Sequence, residues 1–306
     1  MNDINICLSC DNNYAIYAGV LIASILVNAN KTDKLNIYIF DGGIDRENKK
    51  AITSLKSIHE CSITFVQIDN TLFDDYAKIK THNYISLATY YRLKASSLLP
   101  LLKRVIYFDC DIVVNNSLLG LFETDIKDYA IAGVNDINKR AVKRNPKYIN
   151  AGVLLINLDF WRHNDVEEQL LQFTKNNIEN IKMGDQEIIN QCLAKYIKVI
   201  NDTWNVQSSN FTNRSSYIKE PNIVHFVSKK KPWHWASYSY HRHLYFKYLQ
   251  LTPWKLNENN YRNWTKYNQI ASLMSYFIYR PLFFLRPRFY KAIYYTYFKR
   301  YEKRRL

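Results

Sequence analysis

Apolar and polar positions follow two rhythms along the first two thirds of the chain. Short runs rich in Ile, Val, Tyr and Phe, namely INICLSC (4 to 10), LNIYIFDGG (35 to 43) and ITFVQID (63 to 69), read as strands. Between them, YAIYAGVLIASILVN and RENKKAITSLKSI carry helix-like patterns. Strand, helix, strand, helix, strand predicts βαβ units and a mostly parallel sheet covered on both faces. The pattern continues through a helix over 88 to 99 (ATYYRLKASSLL) and the strands RVIYFDCDIVV, YAIAGV (129 to 134) and AGVLLINL (151 to 158). Helices follow from about Phe160 and from Asp185. In such sheets ligands bind beyond the carboxyl ends of the strands, which is where DNNY, DCD and ND fall.

After about Trp233 the chain becomes aromatic and basic, with little strand alternation. The apolar run from Ile270 is interrupted by Arg280 and Pro281, well short of the roughly 20 residues that span a bilayer, so an amphipathic surface segment fits it better. The net charge of +15 points to a polyanionic partner. From Ala271 onward nine Lys or Arg face one acid, Glu302, which concentrates the excess at the C-terminal end. Two units are expected: a catalytic body over 1–255 and a basic, aromatic membrane-association segment over 256–306.

The five cysteines, with no signal-peptide pattern before them, suggest a reducing cytosol. Cys7 and Cys10 form a C-x-x-C inside a predicted strand, with no second pair at zinc spacing, and read as core residues. No G-x-G-x-x-G and no G-x-x-x-x-G-K-[ST] is present, so a nucleotide's phosphates need other partners.

YFDCDIVV (107 to 114) sets two aspartates in an apolar run. Burying an uncompensated carboxylate costs several kcal/mol, and here there are two. On a strand, Asp109 and Asp111 project to one face. A divalent cation between them, Mg²⁺ or Mn²⁺, relieves their repulsion. A turn or cap pair at a strand end is the equal alternative. His225, on the late strand NIVHFV, tilts a metal toward Mn²⁺ if it joins them, and is otherwise an ordinary core histidine.

With DNNY (11 to 14), ATYYRL (88 to 93), YFDCDIVV, NAGVLLINL (150 to 158), GDQEIIN (184 to 190) and HFVSKKKPWH (225 to 234) in order, the chain resembles glycosyltransferase family 8. The likeness is to bacterial lipopolysaccharide galactosyl- and glucosyltransferases and covers roughly residues 4 to 255. It implies an α/β, Rossmann-like GT-A sheet and retaining transfer of galactose or glucose from a UDP-sugar to a lipid-linked glycan. Asp109, Asp111 and His225 would hold the metal, and Lys231 would meet the diphosphate. Asp11, Asn13 and Tyr14 would hold the uridine. Arg92 would lie near the donor sugar, with Asp136, Asn150, Asp185 and Gln186 around its ring.

Gln186 matches the position where a nucleophile would stand and is a poor one, which favours front-side attack. The chain departs from the family at Ser228, where relatives usually carry glycine, and at Tyr84, where some carry histidine. The expected place is the inner face of the cytoplasmic membrane, reached through the basic tail. A non-catalytic membrane or nucleic-acid binder leaves the ordered motifs unexplained, so no nucleic-acid partner is expected; another cell-surface glycan as acceptor stays open.

Overall fold

The computed structural model describes residues 2–79, 86–208, 220–227, 231–233 and 241–255, together with 218, 239 and 290. Tyr84, Ser228 and the segment 256–306, apart from Tyr290, lie outside the described residues. Among those described, no helix is long and apolar enough to cross a membrane.

The strands are β1 (Asn2–Cys10), β2 (Asp33–Asp41), β3 (Cys61–Gln67), β4 (Arg104–Phe108), β5 (Ile112–Val114), β6 (Ile131–Asn135), β7 (Ile149–Asn157), β8 (Ile197–Val199), β9 (Val206–Gln207) and β10 (Ile223–His225). Seven form the main sheet in the order β3-β2-β1-β4-β7-β6-β8, and β5, β10 and β9 form a smaller one. The main sheet is mostly parallel, as the alternation of strands and helices implied. The exception is β7, antiparallel to both β4 and β6. Its first residues therefore run past the end of β4, which stops with Phe108 opposite Val153.

Alternation on β1 divides the core between two faces. Ile4, Ile6 and Leu8 pack under the helix Ala15–Val27, while Cys7 joins Tyr107, Leu154 and Trp161 on the other side. Cys7 and Cys10 are both buried and free of disulfides, as core residues should be. The helix Ala15–Val27 is apolar nearly all round because it is buried nearly all round, between the sheet and the helix Arg242–Leu249. Gly19 gives the Trp254 ring room to lie on it; a Cβ there would overlap the indole.

The run 104 to 114 is not one strand. It leaves the main sheet after Phe108 and pairs again from Ile112, antiparallel to β10. Asp109 still bonds the main sheet, its N–H donating to Gly152 O at 2.9 Å. Asp111 already belongs to the small sheet, its carbonyl accepting from Phe226 N at 2.9 Å. The two aspartates thus bridge a joint between sheets, which corrects the expectation of a single strand. A uniformly apolar run conceals the joint, because both halves are buried.

Candidate functional site

The joint opens into a cavity of about 750 Å³. Asp11, Asn13 and Tyr14 line it after β1, Arg92 and Asp109 line its floor, Asp185 and Gln186 open the helix Asp185–Cys192 on one side, and His225, the last residue of β10, and Lys231 beyond it lie on the other. Asp11 also accepts the Tyr14 N–H at 3.0 Å, capping the 3₁₀ turn that leads into the first helix. Asn13 is exposed, and burial followed by the Asp111 charge pushes the Tyr14 hydroxyl up to about 12.

Each aspartate has one oxygen tied to a cation. Arg92 Nη2 donates to Asp109 Oδ1 at 2.6 Å, and Lys231 Nζ donates to Asp111 Oδ2 and to Phe226 O. The other oxygens turn inward. Asp111 Oδ1 lies 3.1 Å and Asp109 Oδ2 3.9 Å from His225 Nε2. Burial alone would raise the Asp111 carboxyl, but Lys231 and His225 outweigh it and hold its pKa well below the usual range.

Three ligand atoms, one from each of these residues, lie within 4.8 Å of one another. Asp111 Oδ1 is buried without a hydrogen-bond partner, and the donor set of two carboxylates and an imidazole suits Mn²⁺ or Mg²⁺, so the residues fit a divalent cation. Gly152 completes the cradle: a Cβ there would overlap the His225 ring and stand 2.9 Å from Asp109 Oδ2.

Arg92, 2% exposed, is no solvated helix charge. Its Nε donates to Thr89 O at 2.9 Å and lies 3.2 Å from Asp185, its Nη1 donates to Ala151 O at 2.5 Å, and its plane stands 4.1 Å over the Tyr107 ring. Burial disfavours its charge, but Asp109 and Asp185 outweigh that and push its pKa up. Asp185 is raised to about 6, by burial first, with Arg92 opposing. Beside them the Cys110 thiol is pushed well above its usual range by a hydrogen bond with Cys10 and by burial, and stays neutral.

Gln186 is engaged at both ends of its amide. Oε1 accepts from Asn150 Nδ2 and from Ala151 N, each at 3.1 Å, and Nε2 donates to Asp136 Oδ2 at 3.1 Å. Asn150 and Asp136 stand behind this wall: Asn150 is 7% exposed, and Asp136 faces an adjacent cleft with Asn205 and Gln207. Sequence reasoning missed Gly152 and Asn205. The first offered a signal, as one of only seven glycines, next to a motif at the carboxylates; the second offered none.

The family model for Glycosyl transferase family 8 matches residues 5–236. A putative glycosyltransferase of Haemophilus influenzae is 33% identical over 76% of this chain and 73% of its own. The lipopolysaccharide 1,2-glucosyltransferase of Escherichia coli is 28% identical over 82% of this chain and 79% of its own. A crystal structure of the galactosyltransferase LgtC with donor and acceptor sugar analogs shares the fold, with a TM-score of 0.72, 24% identity, and coverage of 85% of this chain and 100% of that one.

Proposed function

Because the chain belongs to glycosyl transferase family 8, and so is a glycosyltransferase rather than a non-catalytic binding module, we propose that it moves galactose or glucose from a UDP-sugar to a lipopolysaccharide-type core glycan. The reading includes dependence on Mn²⁺ and retention at the anomeric carbon. The observation that carries it is the convergence of Asp109, Asp111 and His225 on the floor of a cavity large enough for a nucleotide-sugar. The acceptor class draws support from the Escherichia coli relative.

In this reading Asp109, Asp111 and His225 would hold the cation, whose chemistry there would be to neutralise charge on the leaving diphosphate. Lys231 adds a fixed positive charge beside Asp111. Asp11, Asn13 and Tyr14 receive the nucleoside. Arg92 holds Asp109 and Asp185 on the sugar's side of the cavity. The bond from anomeric carbon to phosphate oxygen breaks, the acceptor oxygen bonds to the same face, and the acceptor proton passes to the departing UDP. Gln186 suits front-side attack because two donors already occupy its Oε1, leaving it no role as a nucleophile. The basic segment beyond 255 fits a peripheral contact with anionic lipid on the cytoplasmic face, where the acceptor is anchored.

A panel of UDP-sugars assayed with and without Mn²⁺, with the product's anomeric configuration read by NMR, tests the reaction. Gln186→Ala should slow transfer on the order of 10²- to 10³-fold. Turnover indifferent to metal, an inverted product, or a glycosyl adduct on Gln186 sinks it. Sedimentation with anionic vesicles, falling as salt rises, tests the membrane contact.

A further inference from the structure

Beyond β6 the chain carries a run of positive charge. Of the nine residues 139–147, KRAVKRNPK, five are Lys or Arg and none is acidic. Lys139, Arg140, Lys143, Arg144 and Lys147 are all exposed, and none enters an ion pair with a described residue. Like charges set this close repel one another, so the segment needs fastening to keep one shape. Ile137 N–H donates to Gln207 Oε1 at 3.0 Å, and Gln207 Nε2 donates to Asn135 O at 2.8 Å. Asn135 Nδ2 in turn donates to Pro146 O at 2.8 Å and to Tyr148 O at 3.2 Å. Both ends of the basic segment are thus tied down, and its charges are placed before any ligand arrives.

The segment borders a cleft of about 420 Å³, within the range of ligand sites, lined by Lys139 and Lys143 together with Asn135, Asp136, Asn205 and Gln207. Its acids do not cancel the lysines. Asp136 Oδ1 accepts the Asn138 N–H at 2.7 Å and its Oδ2 accepts from Asn150 and Gln186, while Asp202 at the edge is exposed. Asn205, 1% exposed, gives its Nδ2 to Asn150 and has its buried Oδ1 without a partner. Amides suit hydroxyls and fixed lysines suit a phosphate. The link from Asp136 to Gln186 sets the cleft behind the sugar side of the main cavity, away from Asp11 and Tyr14. We propose that this cleft is an acceptor subsite that receives a phosphate-bearing sugar of the acceptor glycan, with Lys139 and Lys143 holding the phosphate. The inference rests on the acceptor class proposed above and adds to it a charge requirement.

The test uses fully deacylated lipopolysaccharide core oligosaccharide, with its phosphates intact or removed by hydrofluoric acid, titrated calorimetrically against the full chain and assayed as acceptor. The wild type should bind the phosphorylated form about tenfold more tightly, with the difference shrinking as salt rises. Lys139→Glu/Lys143→Glu should bring the two forms to equal affinity while UDP-sugar hydrolysis and binding of the dephosphorylated form stay unchanged. Equal affinity in the wild type, or a preference that survives in the double variant, overturns the proposal. So does a double variant that keeps the preference but no longer sediments with phosphatidylglycerol vesicles, since the patch would then face lipid. A wild type that hydrolyses UDP-sugar yet neither binds nor glycosylates either form overturns the acceptor class itself, and the subsite with it.

Discussion

Asp109 and Asp111 stand one residue apart, yet the regions around them compensate their charges by different means. Asp109 belongs to the main sheet, and its partner is Arg92, 17 residues away, whose guanidinium is buried and also bound to Asp185 and two carbonyls. Asp111 belongs to the small sheet, and its partner is Lys231, 120 residues away and 18% exposed at the cavity. One side is a fixed frame of mutually neutralising buried charges. The other is a lysine lining the cavity, placed where a phosphate could share it. Fixing one carboxylate and leaving the other's cation accessible keeps the geometry constant while the electrostatics respond to a ligand.

The largest effect should come from breaking the fixed side. Arg92→Met strands Asp109 and Asp185 in a buried setting and should cost about 3–5 kcal/mol of stability, against about 1.5–3 kcal/mol for Lys231→Met, read as denaturant midpoints. Equal costs would erase the contrast. Asp109→Asn should destabilise as well, because it leaves the buried Arg92 short of a charge partner.

A smaller effect probes the seam between the two regions. Gly152→Ala should cost about 1–3 kcal/mol by crowding and displace His225, abolishing Mn²⁺ binding, which a titration of the folded variant would register. Retained Mn²⁺ affinity would show that the cradle tolerates a side chain.

The smallest effect sharpens the fixed side. The folded state holds the Asp185 proton more tightly than the unfolded chain does, so this contribution is full below the ordinary value of 3.8 and is lost as pH rises through about 6. Urea midpoints should show the wild type losing on the order of 1 kcal/mol relative to Asp185→Asn across that window. A difference independent of pH would mean that Asp185 is not raised.

Much of this was legible in the sequence because the signals are local. Alternation in INICLSC and LNIYIFDGG gave β1 and β2, and spacing brought the two aspartates under suspicion before any partner was visible. The joint at Asp109 was not legible, since hydrophobicity reports burial and not which sheet does the burying. Nor was the setting of Arg92, although a cation among apolar and aromatic neighbours such as Ala88, Tyr90, Tyr91 and Leu93 is a hint that it is paired inside. Asn205 depends wholly on tertiary proximity to Asn150 and left no mark in its own segment.

The separation of 120 residues between Asp111 and its lysine has a kinetic side. During synthesis Arg92 precedes Asp109 out of the ribosome, and that pair can close early at small loop entropy. His225 and Lys231 emerge far later, so the metal half of the site belongs to the last, high-contact-order stage of folding. A nascent chain halted before β10 would carry a compensated Asp109 beside a bare Asp111, and the cavity would acquire its second wall only when synthesis nears its end.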